Sequence, residues 1–445
     1  MKKHTAMTAT RFIAIGFLLI IFIGSVLLSL PSAAKSGVRV PYLTAVFTAT
    51  SATCVTGLSL ADTYRTWSRF GQIIILVLIQ IGGLGFMSII TMFSVFLHRR
   101  IGLRERRLLM ESAGTMRISG VVRLIKKIML GTLIFEGVGA VCLAFRFCPQ
   151  MGMKDGIFNA VFHAVSAFCN AGFDLMGRDA PFSSLTAYCG DAAVNITVCM
   201  LVIIGGLGFI VWDDVLKNKF RFSKYELHSK IVLTVSVLLV VIPTVLFYLY
   251  EKNSAFSGLG TGEKWLAAFF QAVSPRTAGF NTVDLGQLSE GGKLLMIILM
   301  FIGGSPGSTA GGIKTTTFAV LILGVVSSAR HTSGVTVFKR RLDNDTIKRA
   351  SAIFVIYTVA VIISAGILCA NEPYSLYENI FETVSAIGTV GLTTGITSKL
   401  KPISDIVLMI LMYGGRVGGL TLMLSLAEKK IDTPIKRPVE KIIIG

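Results

Sequence analysis

The sequence predicts an all-α integral membrane fold of four span–pore helix–span repeats, with pseudo-fourfold symmetry around one central pore. Three observations carry that prediction. First, one stretch is written four times: FTATSATCVTGLSLAD at 47–62, FHAVSAFCNAGFD at 162–174, FQAVSPRTAGFNTVD at 270–284 and FETVSAIGTVGLT at 381–393. Each copy begins with Phe, holds a central Ser and ends on Gly followed by Leu or Phe. The period is roughly a quarter of the chain, and such self-similarity marks a repeat architecture. Second, 53% of residues are hydrophobic and only 15% charged, with a mean hydropathy of +0.72; a soluble domain carries about 25% charged residues. Third, the net charge of +19 is concentrated in clusters at 2–3, 98–107, 217–224, 330–341 and 429–441. The connections holding the four motifs are poor in Lys and Arg, so the clusters read as cytoplasmic and the motifs as outward-facing.

The apolar runs at 12–30, 70–97, 192–212, 231–250 and 350–370 approach or exceed the roughly 20 residues that cross a bilayer. Three further runs carry one charge each: 128–145 with Glu136, 294–329 with Lys314, and 406–427 with Arg416. Two spans per motif leave both termini inside. The first run is too long for a signal peptide and reads as a retained span. Between the spans of the first unit, 42–53 is apolar and of helix length but too short to cross, as a re-entrant half-helix is. The second spans carry glycine-rich patches: IGGLGF at 81–86 and again at 204–209, IGGSPGS at 302–308 and YGGRVGG at 413–419. The units expected are 1–98, 121–216, 230–329 with a broken second span, and 350–427, followed by a cytoplasmic tail at 428–445. All four have one orientation, as repeats about an axis along the membrane normal do.

The chemistry follows from what lies on that axis. Irregular backbone at membrane depth is tolerated where it lines a water-filled path, and rings of carbonyls can replace a cation's hydration shell. The candidate filter segments are Cys54-Val55-Thr56-Gly57, Cys169-Asn170-Ala171-Gly172, Arg276-Thr277-Ala278-Gly279 and Gly388-Thr389-Val390-Gly391. Side chains differ among them, so a backbone mechanism fits better than a side-chain ring. Phe and Gly are ten residues apart in three copies and nine in the third. A single glycine motif would read equally well as close helix packing; four copies on matched half-helices favour a pore. A half-helix entering from outside also points its partly negative C-terminal end at the membrane centre, which favours a cation.

These residues resemble the Ktr/Trk/HKT superfamily of cation transporters, and its KtrB-type membrane subunits in particular. The likeness covers nearly the whole chain: the four repeats, the four filter glycines, and SPRTAGFN at 274–281. The N-terminal pair of spans seen in Trk-type members does not precede the first repeat. The resemblance implies selective potassium uptake across a bacterial plasma membrane, often sodium-dependent, by a homodimer whose subunits each hold a pore. It also implies gating by a cytosolic nucleotide-binding ring of the KtrA type. Sodium-preferring relatives have Ser at the first filter glycine; Gly57 here argues for K+. A sodium or poorly selective pathway in the same fold is the alternative.

Several other residues carry expectations. Asp62, Asp174 and Asp284 follow three of the motifs; they read either as an outer vestibule that concentrates cations or as helix caps and loop anchors. The run Gly303-Gly304-Ser305-Pro306-Gly307-Ser308-Thr309-Ala310-Gly311-Gly312 reads as an intramembrane gate loop, with a kinked helix as the alternative. Lys314 would anchor its inner end. Arg416, a costly mid-membrane charge, would control cation exit by pairing with loop carbonyls or with a carboxylate, Glu136 and Glu382 being the candidates; a structural salt bridge away from the pore is the alternative. Arg276 would offer its backbone to the ion while its guanidinium braces the filter from behind. His163 and Gln271 would pack behind the filter. Cys148 and Cys189 could pair outside. No C-x-x-C, Walker A or strand-borne G-x-G-x-x-G occurs, so this chain should hold no nucleotide. No His–carboxylate spacing suggests an enzyme, and the membrane class explains the positive charge without nucleic acid.

Overall fold

A computed structural model of the chain describes residues 9–85, 120–219, 221–332 and 334–418. The structure expected at 86–119, and that of the tail at 428–445 with the end of the last span, lies outside these residues. Among the described residues, fifteen helices and one short hairpin build four repeats. Repeat one holds α1 (Ala9–Leu28), the half-helix α2 (Tyr42–Thr53), a turn α3 (Thr63–Thr66) and α4 (Arg69–Leu84). Repeat two holds α5 (Val121–Met151), the half-helix α6 (Met153–Phe168), α7 (Ala192–Gly206) and α8 (Phe209–Asn218). Repeat three holds α9 (Leu227–Glu251), the half-helix α10 (Thr261–Val273), α11 (Glu290–Phe301) and α12 (Thr315–Ala329). A two-stranded hairpin, β1 (Thr336–Val337) and β2 (Arg340–Arg341), follows. Repeat four holds α13 (Asn344–Asn371), the half-helix α14 (Leu376–Gly388) and α15 (Pro402–Val417).

The first helix of each repeat is long and apolar enough to cross a membrane. Its sequence also dictates which side faces inward. On α5 the buried positions Thr132, Glu136, Gly139, Leu143 and Phe147 recur every three or four residues and form one helical stripe. Leu130, Leu133, Ile134, Val138, Val141 and Phe145 cover the other side and are exposed. The same outward apolar surface continues on α1, α9 and α13, as expected of a lipid-facing belt. The half-helices are the reverse: the first Phe of every motif copy, Phe47, Phe162, Phe270 and Phe381, is at most 1% exposed.

Each first span packs on its own half-helix: α1 on α2, α5 on α6, α9 on α10, α13 on α14. Each second helix packs on the half-helix of the next repeat: α4 on α6, α7 on α10, α11 on α14 and, closing the cycle, α15 on α2. The pseudo-fourfold arrangement is therefore a closed ring of contacts, with the last repeat against the first.

The second spans correct the sequence reading. Runs 70–97, 192–212 and 406–427 were expected to cross without a break, and only the third repeat to be interrupted. Instead α4 ends at Leu84 on Gly85 (φ 77°), and α15 ends at Val417 on Gly418 (φ 93°). Helices α7 and α8 are bent by 94° at Gly208 (φ 95°). The glycine patches explain the position. In repeats one, two and four one glycine of the pair, Gly82, Gly205 or Gly415, lies against the last half-helix carbonyls, at Thr53, Phe168 and Ile387; a Cβ there would collide with that oxygen. The half-helix end thus seats where the second helix has no side chain.

Candidate functional site

The four motif tails meet one another. In every copy the filter glycine and the residue two before it have positive φ: Val55 and Gly57, Asn170 and Gly172, Thr277 and Gly279, Thr389 and Gly391. Two positive-φ positions in so short a stretch make a backbone that Gly adopts freely and other residues resist. The glycines then close a ring. A Cβ built on Gly57 would lie 2.5 Å from the Ala171 oxygen, and one on Gly172 2.8 Å from the Ala278 oxygen. One on Gly279 would lie 2.5 Å from the Val390 oxygen, and one on Gly391 would strike the Thr56 oxygen. Each glycine therefore faces the carbonyl preceding the glycine of the next repeat, in the order one, two, three, four, one.

The central Ser of the motif holds this backbone. Its carbonyl accepts from the N–H of the residue before the glycine in all four copies: Thr56 to Ser51 (2.8 Å), Ala171 to Ser166 (2.8 Å), Ala278 to Ser274 (2.9 Å) and Val390 to Ser385 (2.8 Å). The hydroxyl adds a second tie. Ser51 and Ser385 accept from the N–H of Gly57 (3.0 Å) and Gly391 (3.1 Å), whereas Ser166 and Ser274 donate to the carbonyls of Phe173 (2.7 Å) and Phe280. The missing residue of the third copy falls inside this loop. There α10 ends at Val273 with Ser274 still in helical geometry (φ −59°, ψ −41°), and Pro275, which has no N–H, cannot continue the ladder. The repeated Ser was visible in the sequence; its bracing role was not.

Behind the ring, the polar residues one position after the motif Phe in copies two and four reach the loops that follow the motif. His163 accepts from Leu175 N–H at 3.3 Å, and Glu382 from Thr394 N–H at 3.3 Å and from the Thr397 hydroxyl at 2.7 Å. Gln271 is fully buried with no hydrogen-bond partner among the described residues. The Arg276 guanidinium points away from the axis and donates to Ser236 Oγ at 3.2 Å on α9, while its carbonyl accepts from Asn170 Nδ2 at 3.2 Å.

The segment 302–314 between α11 and α12 is non-helical and lies directly beneath. Ser305 N–H donates to the Gly206 carbonyl (3.0 Å), Thr309 N–H to that of Gly205 (3.3 Å), and Phe209 N–H to that of Gly307 (2.7 Å). Thr309 Oγ1 donates to the Phe168 carbonyl at 3.1 Å, and Ser308 Oγ to that of Ser305 at 2.7 Å. A Cβ on Gly312 would lie 3.0 Å from the Gly388 oxygen, and one on Gly311 would strike the Thr389 hydroxyl. Gly303 N–H donates to the Ile313 carbonyl (2.8 Å), Thr315 N–H to that of Gly304 (3.0 Å), and Lys314 Nζ to that of Ala310 (2.7 Å). The segment is a loop and not the kinked helix that was its alternative.

Arg416 joins that loop to the first repeat. Its guanidinium donates to the Thr309 carbonyl on one side and to the Gly82 and Gly83 carbonyls on the other, the last at 3.1 Å. Among the described residues it meets no carboxylate. Glu136 and Glu382, the candidate partners, are engaged elsewhere, because the helix-end carbonyls exposed by the glycine breaks already supply acceptors. The three acidic residues after the motifs hold backbone. Asp62 caps α3 through Arg65 N–H (2.9 Å) and accepts from Phe182 N–H (2.8 Å). Asp174 accepts from Met176 N–H, and Asp284 from Gly286 N–H, each at 2.9 Å. Cys148 and Cys189 are both free thiols, so the suggested pairing does not form.

The TrkH family model, described as a cation transport protein, matches residues 2–433. The chain belongs to the TrkH family. Among TrkH-family relatives, Ktr system potassium uptake protein B of Bacillus subtilis (strain 168) is 39% identical over 445 residues, covering 100% of this chain and 98% of that protein. Potassium/sodium uptake protein NtpJ of Enterococcus hirae is 39% identical over 454 residues, covering 100% of this chain and 99% of its own. The crystal structure of the potassium transporter TrkH from Vibrio parahaemolyticus superposes with a TM-score of 0.73 at 19% identity, covering 96% of this chain and 86% of that one. That likeness concerns the fold. The TrkH-family matches are transport proteins rather than enzymes, and the chain is a multi-pass membrane transporter.

Proposed function

We propose that the chain takes up potassium across the bacterial plasma membrane through the ring of Gly57, Gly172, Gly279 and Gly391, with both termini in the cytoplasm. One observation carries this reading: four short backbone segments close into a ring in which each glycine abuts the next segment's carbonyl. Carbonyls held in this way replace the water around a cation, and the C-terminal ends of four half-helices add negative potential at the centre. The loop at 303–312, tied by Lys314 and Arg416, is the gate: it lies under the ring, and a cation leaving inward has to pass it. The names of the two bacterial relatives support K+ as cargo, and that of NtpJ supports a part for Na+. A homodimer, each protomer with its own pore, and regulation by a cytosolic nucleotide-binding ring of the KtrA type complete the proposal. The deciding experiment is Rb+ or K+ uptake into liposomes, with Na+ as competitor, for wild type and Gly57→Ser. Potassium-selective uptake degraded by Gly57→Ser is the expected result. Uptake unchanged by the substitution removes Gly57 from the pathway and overturns the filter. Equal uptake of Na+ by the wild type favours the poorly selective alternative.

A further inference from the structure

Behind the second filter segment lies a carboxylate that meets no cation among the described residues. Glu136, on the inward stripe of α5, is 7% exposed. Its Oε2 accepts from Gln80 Nε2 of α4 at 3.2 Å, and its Oε1 lies 3.9 Å from the Cys169 thiol at the end of α6. The thiol is also 3.6 Å from Gln80 Oε1. One turn earlier on the same stripe, Thr132 is 1% exposed and its hydroxyl has no hydrogen-bond partner among the described residues. A threonine in a helix ordinarily satisfies its hydroxyl on the carbonyl one turn back, so this oxygen is left over beside an acid that lacks a counter-charge. The C-terminal end of α6, partly negative, points into the same place.

The third repeat supplies the contrast. There the residue three before the filter glycine is Arg276, and its guanidinium occupies the space behind the filter against Ser236 of α9. In repeat two the corresponding Cys169 brings no charge and meets Glu136 of α5. Behind the third segment sits a fixed cation; behind the second sits a carboxylate where a cation would be held. Arg416 does not pair with Glu136, since its donors go to Thr309, Gly82 and Gly83.

We infer that Glu136, Thr132 and Gln80 form a binding site for a small monovalent cation, Na+, at the seam between repeats one and two and off the permeation axis. The oxygen donors, a carboxylate, a hydroxyl and an amide carbonyl, are those that hard cations take, and one negative charge matches one positive charge. An intramembrane carboxylate is costly when unpaired and marks a functional site. The site adjoins both Cys169 of the filter segment and, through the thiol's contact with Gly83, the strand of backbone that Arg416 grips; a Cβ on Gly83 would lie 2.6 Å from the Cys169 sulfur. Occupancy by Na+ would therefore stiffen the second filter segment and the gate clamp together. This deepens the reading of the chain as a sodium-influenced potassium transporter and rests on it.

The test is ²²Na+ binding to the purified full chain in saturating K+, which keeps the filter occupied by K+. Expected is Na+ binding that K+ does not displace, weakened about tenfold or more by Glu136→Gln and several-fold by Thr132→Val. Wild-type protein that binds no Na+ in excess K+, or Glu136→Gln that binds as wild type does, overturns the site. If Glu136→Gln elutes as aggregate, Thr132→Val and Gln80→Leu decide on the same terms. The measurement needs no flux, so its failure is separable from failure of the Gly57→Ser uptake experiment.

Discussion

A methyl group is the smallest probe of the glycine ring. Gly391→Ala places it against the Thr56 carbonyl and 2.9 Å from the Gly57 Cα, at a φ of 90° that costs an L-residue roughly 1–2 kcal/mol. Rb+ uptake into liposomes should be abolished while the protein still purifies as a folded species. Ser385→Ala acts differently. It leaves the Val390-to-Ser385 backbone bond in place but orphans Gly391 N–H, at a cost of about 1–3 kcal/mol. Flux should survive, with weaker discrimination of Rb+ against Na+; unchanged discrimination would remove the Ser hydroxyl from the filter's support. At this scale the sequence was informative about glycines and silent about braces. Four copies revealed the glycines and the serines alike, but a hydroxyl's partner depends on a loop geometry that composition does not encode. Asp62, Asp174 and Asp284 illustrate the same limit: their positions suited a vestibule or a cap, and the backbone N–H groups that each carboxylate holds depend on loop geometry.

Among the elements, the broken second helices matter most. Their apolar runs are long enough to cross, so length alone read them as continuous. What breaks them is local: paired glycines that seat a half-helix end, then a glycine at positive φ. The third loop was legible because Gly, Pro and Ser crowd one stretch; the other breaks were not, because IGG inside leucine and isoleucine also reads as a packing motif. Gly208→Ala tests the link between bend and loop. Its Cβ would lie 2.6 Å from the Pro306 carbonyl, and φ 95° is again costly by roughly 1–2 kcal/mol. The variant should unfold at lower temperature and, by displacing the loop, transport Rb+ faster than wild type. Arg416→Gln should also raise flux, since it loosens the tie between Thr309 and the Gly82–Gly83 end of α4. Slower uptake in both variants would mean that the loop supports the path and does not obstruct it.

For the whole molecule, ring closure brings the last repeat onto the first, and with it fixes which ends of the repeats face together. The distribution of Lys and Arg predicts that the motifs face outward. Cys189 gives a direct readout of that orientation, because it lies in the connection between α6 and α7 and is a free thiol. Burial raises its pKa, the Glu263 carboxylate raises it further, and a hydrogen bond with Thr282 acts the other way. Less thiolate is then present at neutral pH, and thiolate is the reacting form. In a variant retaining Cys189 alone, a membrane-impermeant maleimide added outside intact cells should label it, more slowly than an unhindered cysteine. Labelling should quicken as pH rises. Glu263→Gln removes the nearby negative charge, lowers the thiol's pKa and should speed the reaction at fixed pH. Labelling only after the cytoplasmic face is opened would invert the topology, place the half-helices' entry on the inner side, and reverse the direction assigned to the gate.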